Sequence, residues 1–306
     1  MLPRPTPWGV IPHTSASDRD FSGAILSSAS ETVRTFGVMP TALVTGGSAG
    51  LGAAFACRLA ADGYDLVLVA RDRHRLEQVA AAHRRDHGVS VEVLAADLTE
   101  PAGLVAVERR LTDGTRPVDL LVNNAGVESD GEFVDVDVDD LQEEIDLNVT
   151  AVLRLTRAVV PAMIRRGDGG VVNVASFAGY LAARGSAYGA TKAWVLAFTD
   201  TVAATLPGTG VQVIALCPGR LRSDEPGHVK QGRSALWLDP QMAVDRCLAD
   251  LARGRTLSTP GLVYRAVVAT LELPKRTLRL MARLVGRGRE QRRVPRGTDT
   301  TMRLAG

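Results

Sequence analysis

Tyr188 and Lys192 lie within the stretch SAYGATKAW, four positions apart. On a helix that spacing puts both side chains on one face, aimed into the same cleft. A tyrosine is a poor base at its ordinary pKa near 10, but an ammonium a few ångströms away favours the phenolate and lowers that pKa. Each residue alone has a plainer reading, Tyr188 as a half-buried helix residue and Lys192 as a solvated surface group. A second constellation lies upstream in TALVTGGSAGLG, Thr41–Gly52. Here an apolar β-branched run stops at Gly46-Gly47, and Gly50 and Gly52 open a helix. Backbone that bends so tightly can approach a pyrophosphate, which then sits on the free N–H groups at the helix N-terminus.

These residues are positioned by an alternation of strands and helices that begins at Pro40. Strands are expected at Ala42–Thr45, Asp65–Ala70, Val89–Ala95, Val118–Val122, Val171–Ala175 and Val211–Cys217. Between them come helices over Leu51–Asp62, from Asp72 to about His87, Ala102–Leu111 behind a Thr99 cap, Asp139–Arg165 behind Asp137, and Ser186–Leu206. Arg220–Leu238 reads as a loop or lid with room for short helices. Asp239 caps a helix over Pro240–Arg253, a short strand is expected near Arg255–Ser258, and Leu262–Glu272 and Lys275–Val285 read as helices. The pattern predicts an α/β fold, a Rossmann-like doubly wound parallel sheet with helices on both faces, in one domain. Residues 1–38 read as a partly irregular extension and 39–260 as the dinucleotide-binding catalytic domain. Residues 261–293 read as a basic helical segment of the same domain, and 294–306 as a flexible tail. In such a sheet the strand ends share one edge, which gathers Gly46–Gly52, Arg71, Asp97-Leu98, Asn123–Gly126, Ser176 and Pro218-Gly219.

Composition narrows the function classes. With aromatics at 4% and hydrophobics at 45%, the core is built of Ala, Val and Leu, as suits buried parallel strands. A formal charge of +2 is too small to point to nucleic acid. The cysteines, Cys57, Cys217 and Cys247, are odd in number and lack metal-ligand spacing, so reduced thiols and a cytoplasmic setting are expected. His83 and His87 are four apart but lack the intervening glutamate of a zinc helix, so no metal is expected. No uncharged apolar run of spanning length is apparent.

TGxxxGxG, NNAG, a serine followed by YxxxK, and PG, in this order and spacing, resemble the classical short-chain dehydrogenase/reductase family from about Pro40 to Pro260. The resemblance implies an oxidoreductase moving a hydride between a nicotinamide cofactor and a carbonyl or secondary alcohol. Tyr188 resembles the acid/base that gives a proton to the carbonyl oxygen in reduction, and Ser176 the serine that hydrogen-bonds the same oxygen. Lys192 resembles the lysine that also holds the ribose hydroxyls, and Asn148 the asparagine that anchors a water beside it. The cofactor set so implied is Gly46, Ser48, Gly50, Leu51, Gly52, Arg71, Asp97, Leu98, Asn124, Ala125, Gly126, Tyr188, Lys192, Pro218, Gly219 and Ser223. Asp97 resembles the residue that meets the adenine amino group. Ser223 takes the place of the family's threonine. A protein of this fold that binds cofactor without turnover is the competing class.

The second strand ends at Ala70 and is followed by Arg71, where NAD selectivity needs a carboxylate. A guanidinium there can pair with the extra phosphate of NADP. NADP is therefore expected over NAD, although Asp72 is one residue away and Arg71 could instead pair with a surface acid. Phe177, Tyr180, Leu181, Leu236 and Trp237 are expected to line an apolar substrate site, or else to pack a loop. The family is usually dimeric or tetrameric through the helices here at Asp139–Arg165 and Ser186–Leu206. Lys275–Arg296 carries one lysine and eight arginines against Glu290. It reads either as a packed helix with a solvated basic face or as a peripheral-membrane contact.

Overall fold

A computed structural model describes residues 39–181, 185–222 and 236–272. Ser223, residues 1–38, the Lys275–Val285 helix and the tail lie outside the described residues. The chain divides into two compact units, Met1–Tyr264 and Arg265–Gly306. Of the second unit, residues 265–272 are described, and they are helical.

The first unit is built on a seven-stranded parallel sheet. Its strands are β1 Thr41–Thr45, β2 Asp65–Ala70, β3 Val91–Ala95, β4 Leu120–Asn123, β5 Gly169–Val174, β6 Val211–Leu216 and β9 Leu257–Ser258. They lie in the order β3-β2-β1-β4-β5-β6-β9. The order reverses between β1 and β4, the crevice where open α/β sheets bind ligands. A small pair, β7 Arg220–Leu221 with β8 Trp237–Leu238, closes the two described ends of the Arg220–Leu238 stretch. That stretch was expected as a loop or lid with short helices, and its described ends are strands instead.

Around the sheet run α1 Gly50–Ala61, α2 Arg73–His87, α3 Pro101–Thr112, α4 Val138–Ile145, α5 Val152–Arg166, α6 Tyr188–Thr205 and α7 Pro240–Ala252. Residues 262–264 open a further helical run. One core cluster, with Val44, Phe55, Leu59, Leu68, Val122 and Leu251, fills one face. The other face holds Leu43, Val69, Leu121, Leu155, Val159 and Met163. Successive residues of β1 thus serve opposite faces, the period of a buried strand.

Several expected ends are exact in kind. Asp72 accepts from Arg75 N–H at 3.0 Å, Asp137 from Asp139 N–H at 2.9 Å, and Asp239 from Gln241 N–H at 2.7 Å. Thr99 is a correction, because α3 starts behind Glu100 with Pro101 in its first turn and no side-chain cap. The Thr99 hydroxyl is instead donated to Asp97 at 2.7 Å. The helix expected over Asp139–Arg165 is not one α-helix, since a π-turn, Asp146–Ala151, separates α4 from α5. By length and composition Val138–Arg166 is apolar enough to cross a bilayer, contrary to the expectation of no such run. In the fold Leu155, Val159 and Met163 of this stretch are buried with the sheet.

Candidate active site

Tyr188 is the first residue of α6, and its N–H donates to Ser186 Oγ at 3.3 Å. Lys192 follows one turn later, with its Nζ 5.5 Å from the Tyr188 ring centroid. The Lys192 ammonium is buried and donates to the Val174 carbonyl at 3.1 Å. β5 therefore supplies both a seat for the lysine and, just past its end, Ser176. The Ser176 Oγ accepts from Ala178 N–H at 3.2 Å, which opens the 3₁₀ turn Phe177–Tyr180. The same serine hydrogen-bonds Tyr188, so the two hydroxyls expected to share a substrate oxygen are adjacent.

The electrostatics differ from the expectation that the ammonium dominates. Burial pushes Tyr188 up to about 12; the Ser176 hydrogen bond opposes this, while Glu128 and Glu144 add to it. Burial likewise pushes Lys192 down to about 8, with Glu128 opposing. Desolvation disfavours the charged forms of both groups and is the largest cause of each shift. In this state Tyr188 is a held acid, suited to giving a proton.

Asn148 is fully buried in the π-turn. Its Oδ1 accepts from Val127 N–H at 3.0 Å, and its Nδ2 donates to the Val127 carbonyl at 2.8 Å and to Thr191 Oγ1 at 3.1 Å. The amide is thus committed to protein, tying the segment after β4 to α6. A Cβ on Gly126 would lie 2.8 Å from Asn148 Oδ1 and 3.1 Å from Lys192 Nζ, so the three residues meet at one point.

The glycine turn forms a cradle that side chains would fill. Gly46 has φ +65°, and a Cβ on Gly52 would stand 2.1 Å from the Gly46 carbonyl oxygen. The α1 N-terminus, behind Ala49, receives no side-chain cap. Its first N–H groups are suited to a pyrophosphate. Leu51 and Leu98 have buried side chains, so only their backbone can face a ligand. Thr45, not singled out from sequence, fastens the next wall: its Oγ1 accepts from Asn124 N–H at 2.9 Å and Ala125 N–H at 3.0 Å. The type of residue before Gly46 was the only signal for it.

Arg71 is solvent-exposed just past β2, with Nη1 3.9 Å from Asp97 and 3.6 Å from Glu143. Burial alone would raise the Asp97 carboxyl; the bonds from Thr99 and the nearby Arg71 hold it below the ordinary carboxylate range. Arg75, also missed, donates through Nε to the Ser48 carbonyl at 3.1 Å and so lies over the glycine turn. Pro218 is buried at the end of the sixth strand's edge, with Gly219 beside it. Phe177 and Tyr180 pack half-buried against Ala175, Val195 and Cys217. Leu181 and Leu236 are exposed, and Trp237 is half-buried near Arg220. Among the described residues no cluster suited to a metal ion occurs.

The short chain dehydrogenase family profile matches residues 40–233. The chain is 36% identical over 233 residues to the ketoacyl reductase HetN of Nostoc sp., covering 76% of this chain and 75% of that one. A short-chain dehydrogenase from Sphingobium yanoikuyae in complex with NADPH superposes with a TM-score of 0.72 at 35% identity, over 86% of this chain and 99% of that one. A bulky-bulky ketone specific alcohol dehydrogenase from Comamonas testosteroni does so at 0.68 and 31%, over 85% and 97%. The chain belongs to the short-chain dehydrogenase/reductase family, and it is an NAD(P)-dependent oxidoreductase that transfers hydride to or from a small carbonyl or alcohol substrate.

Proposed function

We propose that the protein is an NADPH-dependent reductase of apolar ketones, aldehydes or acyl derivatives. One observation carries the cofactor choice: past β2 the exposed group is the Arg71 guanidinium, while the Asp72 carboxylate caps α2. A 2′-phosphate suits a guanidinium whose ion pairs among the described residues are 3.6–3.9 Å long, and Arg75 over Ser48 supplies a second cation nearby. The glycine cradle and the uncapped α1 N-terminus fit the pyrophosphate. When bound, the cofactor supplies the hydride. Tyr188, protonated at neutral pH, gives its hydroxyl proton to the carbonyl oxygen, and Ser176 donates a hydrogen bond to that oxygen. Lys192 orients the ribose hydroxyls and returns a proton to Tyr188. Asn148 supports the relay through its main chain, because its amide is held by Val127 and Thr191.

Apolar Phe177 and Tyr180 immediately after Ser176 support the substrate class. The names of HetN and of the Comamonas enzyme point the same way. Assembly is proposed as a homodimer or homotetramer through α5 and α6. A groove of about 670 Å³ runs along them and α3, lined by Val105, Leu153, Phe198 and Val202, and no catalytic candidate lines it. Membrane contact by the basic C-terminal segment is not part of this proposal. Parallel titrations of NADPH and NADH against wild type and Arg71→Ala test the cofactor reading. Removing a charge-assisted phosphate contact should weaken NADPH about tenfold or more and leave NADH nearly unchanged. Tighter NADH binding by wild type, or equal weakening of both, overturns it.

A further inference from the structure

The two stretches expected to border the substrate, one after Ser176 and one ending in Leu236-Trp237, meet at a residue that neither contains. Tyr264 is buried, and its ring lies edge-on to Phe177 with centroids 4.9 Å apart and planes at 70°. Its hydroxyl donates to the Leu236 carbonyl at 3.0 Å and accepts from Arg220 N–H at 3.3 Å. It therefore joins β7 to the residue before β8. Its ring also fills the space over Gly219, where a Cβ would stand 1.9 Å from the Tyr264 Cζ. Phe177 in turn donates its N–H to the Pro218 carbonyl at 2.9 Å. One phenol thus touches the residue after Ser176, the Pro218-Gly219 turn, and both described ends of the stretch between β7 and β8.

We propose that Tyr264 is a positioning residue that sets how bulky a carbonyl substrate the cleft admits beside Ser176 and Tyr188. Its reach is steric. The ring holds Phe177 and the Gly219 turn at a fixed separation, and the hydroxyl locks Arg220 and Leu236 to them. Removing the hydroxyl loosens the Leu236 side, whereas removing the ring lets Phe177 move toward Gly219. Neither change touches the Ser176–Tyr188 pair, so proton transfer stays as it was. Discrimination by bulk then changes through KM and not through kcat or its pH profile.

The inference rests on the carbonyl-reductase reading, and the experiment separates the two. Wild type, Tyr264→Phe and Tyr264→Leu are assayed with NADPH on a small aliphatic ketone and a bulky aryl ketone. Both variants should change the ratio of kcat/KM between the ketones about fivefold or more, with kcat on the small ketone and its pH profile kept. An unchanged ratio in active variants overturns the inference alone. Wild type inactive on all carbonyls with either cofactor overturns the functional reading and the inference with it. A readout apart from activity is the melting temperature of Gly219→Ala. The added methyl should lower it in wild type and cost little in the Tyr264→Leu background. Equal losses in both backgrounds show that the ring does not set the turn, and that too overturns the inference.

Discussion

At Tyr188 the local physics favours the protonated phenol. Burial moves it up to about 12 and moves Lys192 down to about 8. A reductase needs its tyrosine as an acid, so the high value suits the proposed direction. Tyr188→Phe keeps the ring and removes the proton donor, so kcat should fall by about 10²–10⁴ while NADPH binding stays unchanged. Steady-state rates beside a fluorescence titration check it; loss of binding with retained turnover contradicts the assignment. The lysine gives a pH signature. Its folded pKa is depressed, so the ammonium that orients the ribose and recharges Tyr188 is present below about pH 8 and lost above it. Reductive kcat/KM for carbonyl should therefore decline as pH rises through about 8. The tyrosine–lysine pair was legible in the sequence because i,i+4 spacing is a local property. The dominance of burial was not, because desolvation depends on residues that the fold brings in from other elements, Val174 of β5 among them.

Secondary elements carry the site through buried polar contacts that no pattern of apolar residues reveals. Asn123 Nδ2 donates to Thr156 Oγ1 at 3.0 Å and to Asn173 Oδ1 at 2.9 Å, and Asn173 Nδ2 donates to Thr199 Oγ1 at 3.0 Å. This chain ties β4 and β5 to α5 and α6, the elements that bear or precede Asn124, Ser176 and Tyr188. Thr199→Val keeps the volume but leaves a buried amide proton without its acceptor. It should cost about 1–3 kcal/mol of stability in a urea melt, whereas a surface change such as Thr201→Val should cost far less. The glycine turn gives a second contrast. Gly52→Ala pushes a methyl into the Gly46 carbonyl and should weaken NADPH and NADH alike, unlike Arg71→Ala. Strand and cap residues such as Asp72 and Asp239 were readable because their partners lie within one turn. Thr99 was misread because Asp97, two residues back, competes for its hydroxyl. The π-turn at Asn148 was hidden because an inserted residue leaves the apolar spacing of a long helix almost unchanged.

At the scale of the molecule the parallel sheet divides its tasks between two edges. The carboxyl ends of the strands gather the chemistry, and at the amino ends Asp119 and Asp168 lead into β4 and β5. Tyr264 was invisible to local reading because it meets Phe177 and Gly219 only once the fold is complete. Assembly is tested by Phe198→Asp, which puts a charge into the groove between α5 and α6. Light scattering should show a smaller assembly than wild type, and an unchanged mass would remove these helices as the interface.

Opposite the site, Asp168 precedes β5 beside Asp119, which precedes β4. Burial first, then the Asp119 charge, pushes the Asp168 carboxyl up to about 6, against the Gly169 N–H and Arg166 that favour its ionised form. Its Oδ1 is buried without a hydrogen-bond partner. Between pH 3.8, its ordinary value, and about 6, the folded protein keeps a proton that the unfolded chain has released. Stability therefore falls as pH rises across that window, and above it the charged carboxylate is a standing cost. Because the group is partly exposed, solvent screening reduces the full linkage value to about 1 kcal/mol. Asp168→Asn removes the titration while keeping the shape. It should unfold at higher denaturant than wild type at pH 7, with the advantage shrinking toward zero near pH 4. An advantage that is constant across this range, or a loss at pH 7, would show that the Asp168 charge is not what strains this edge.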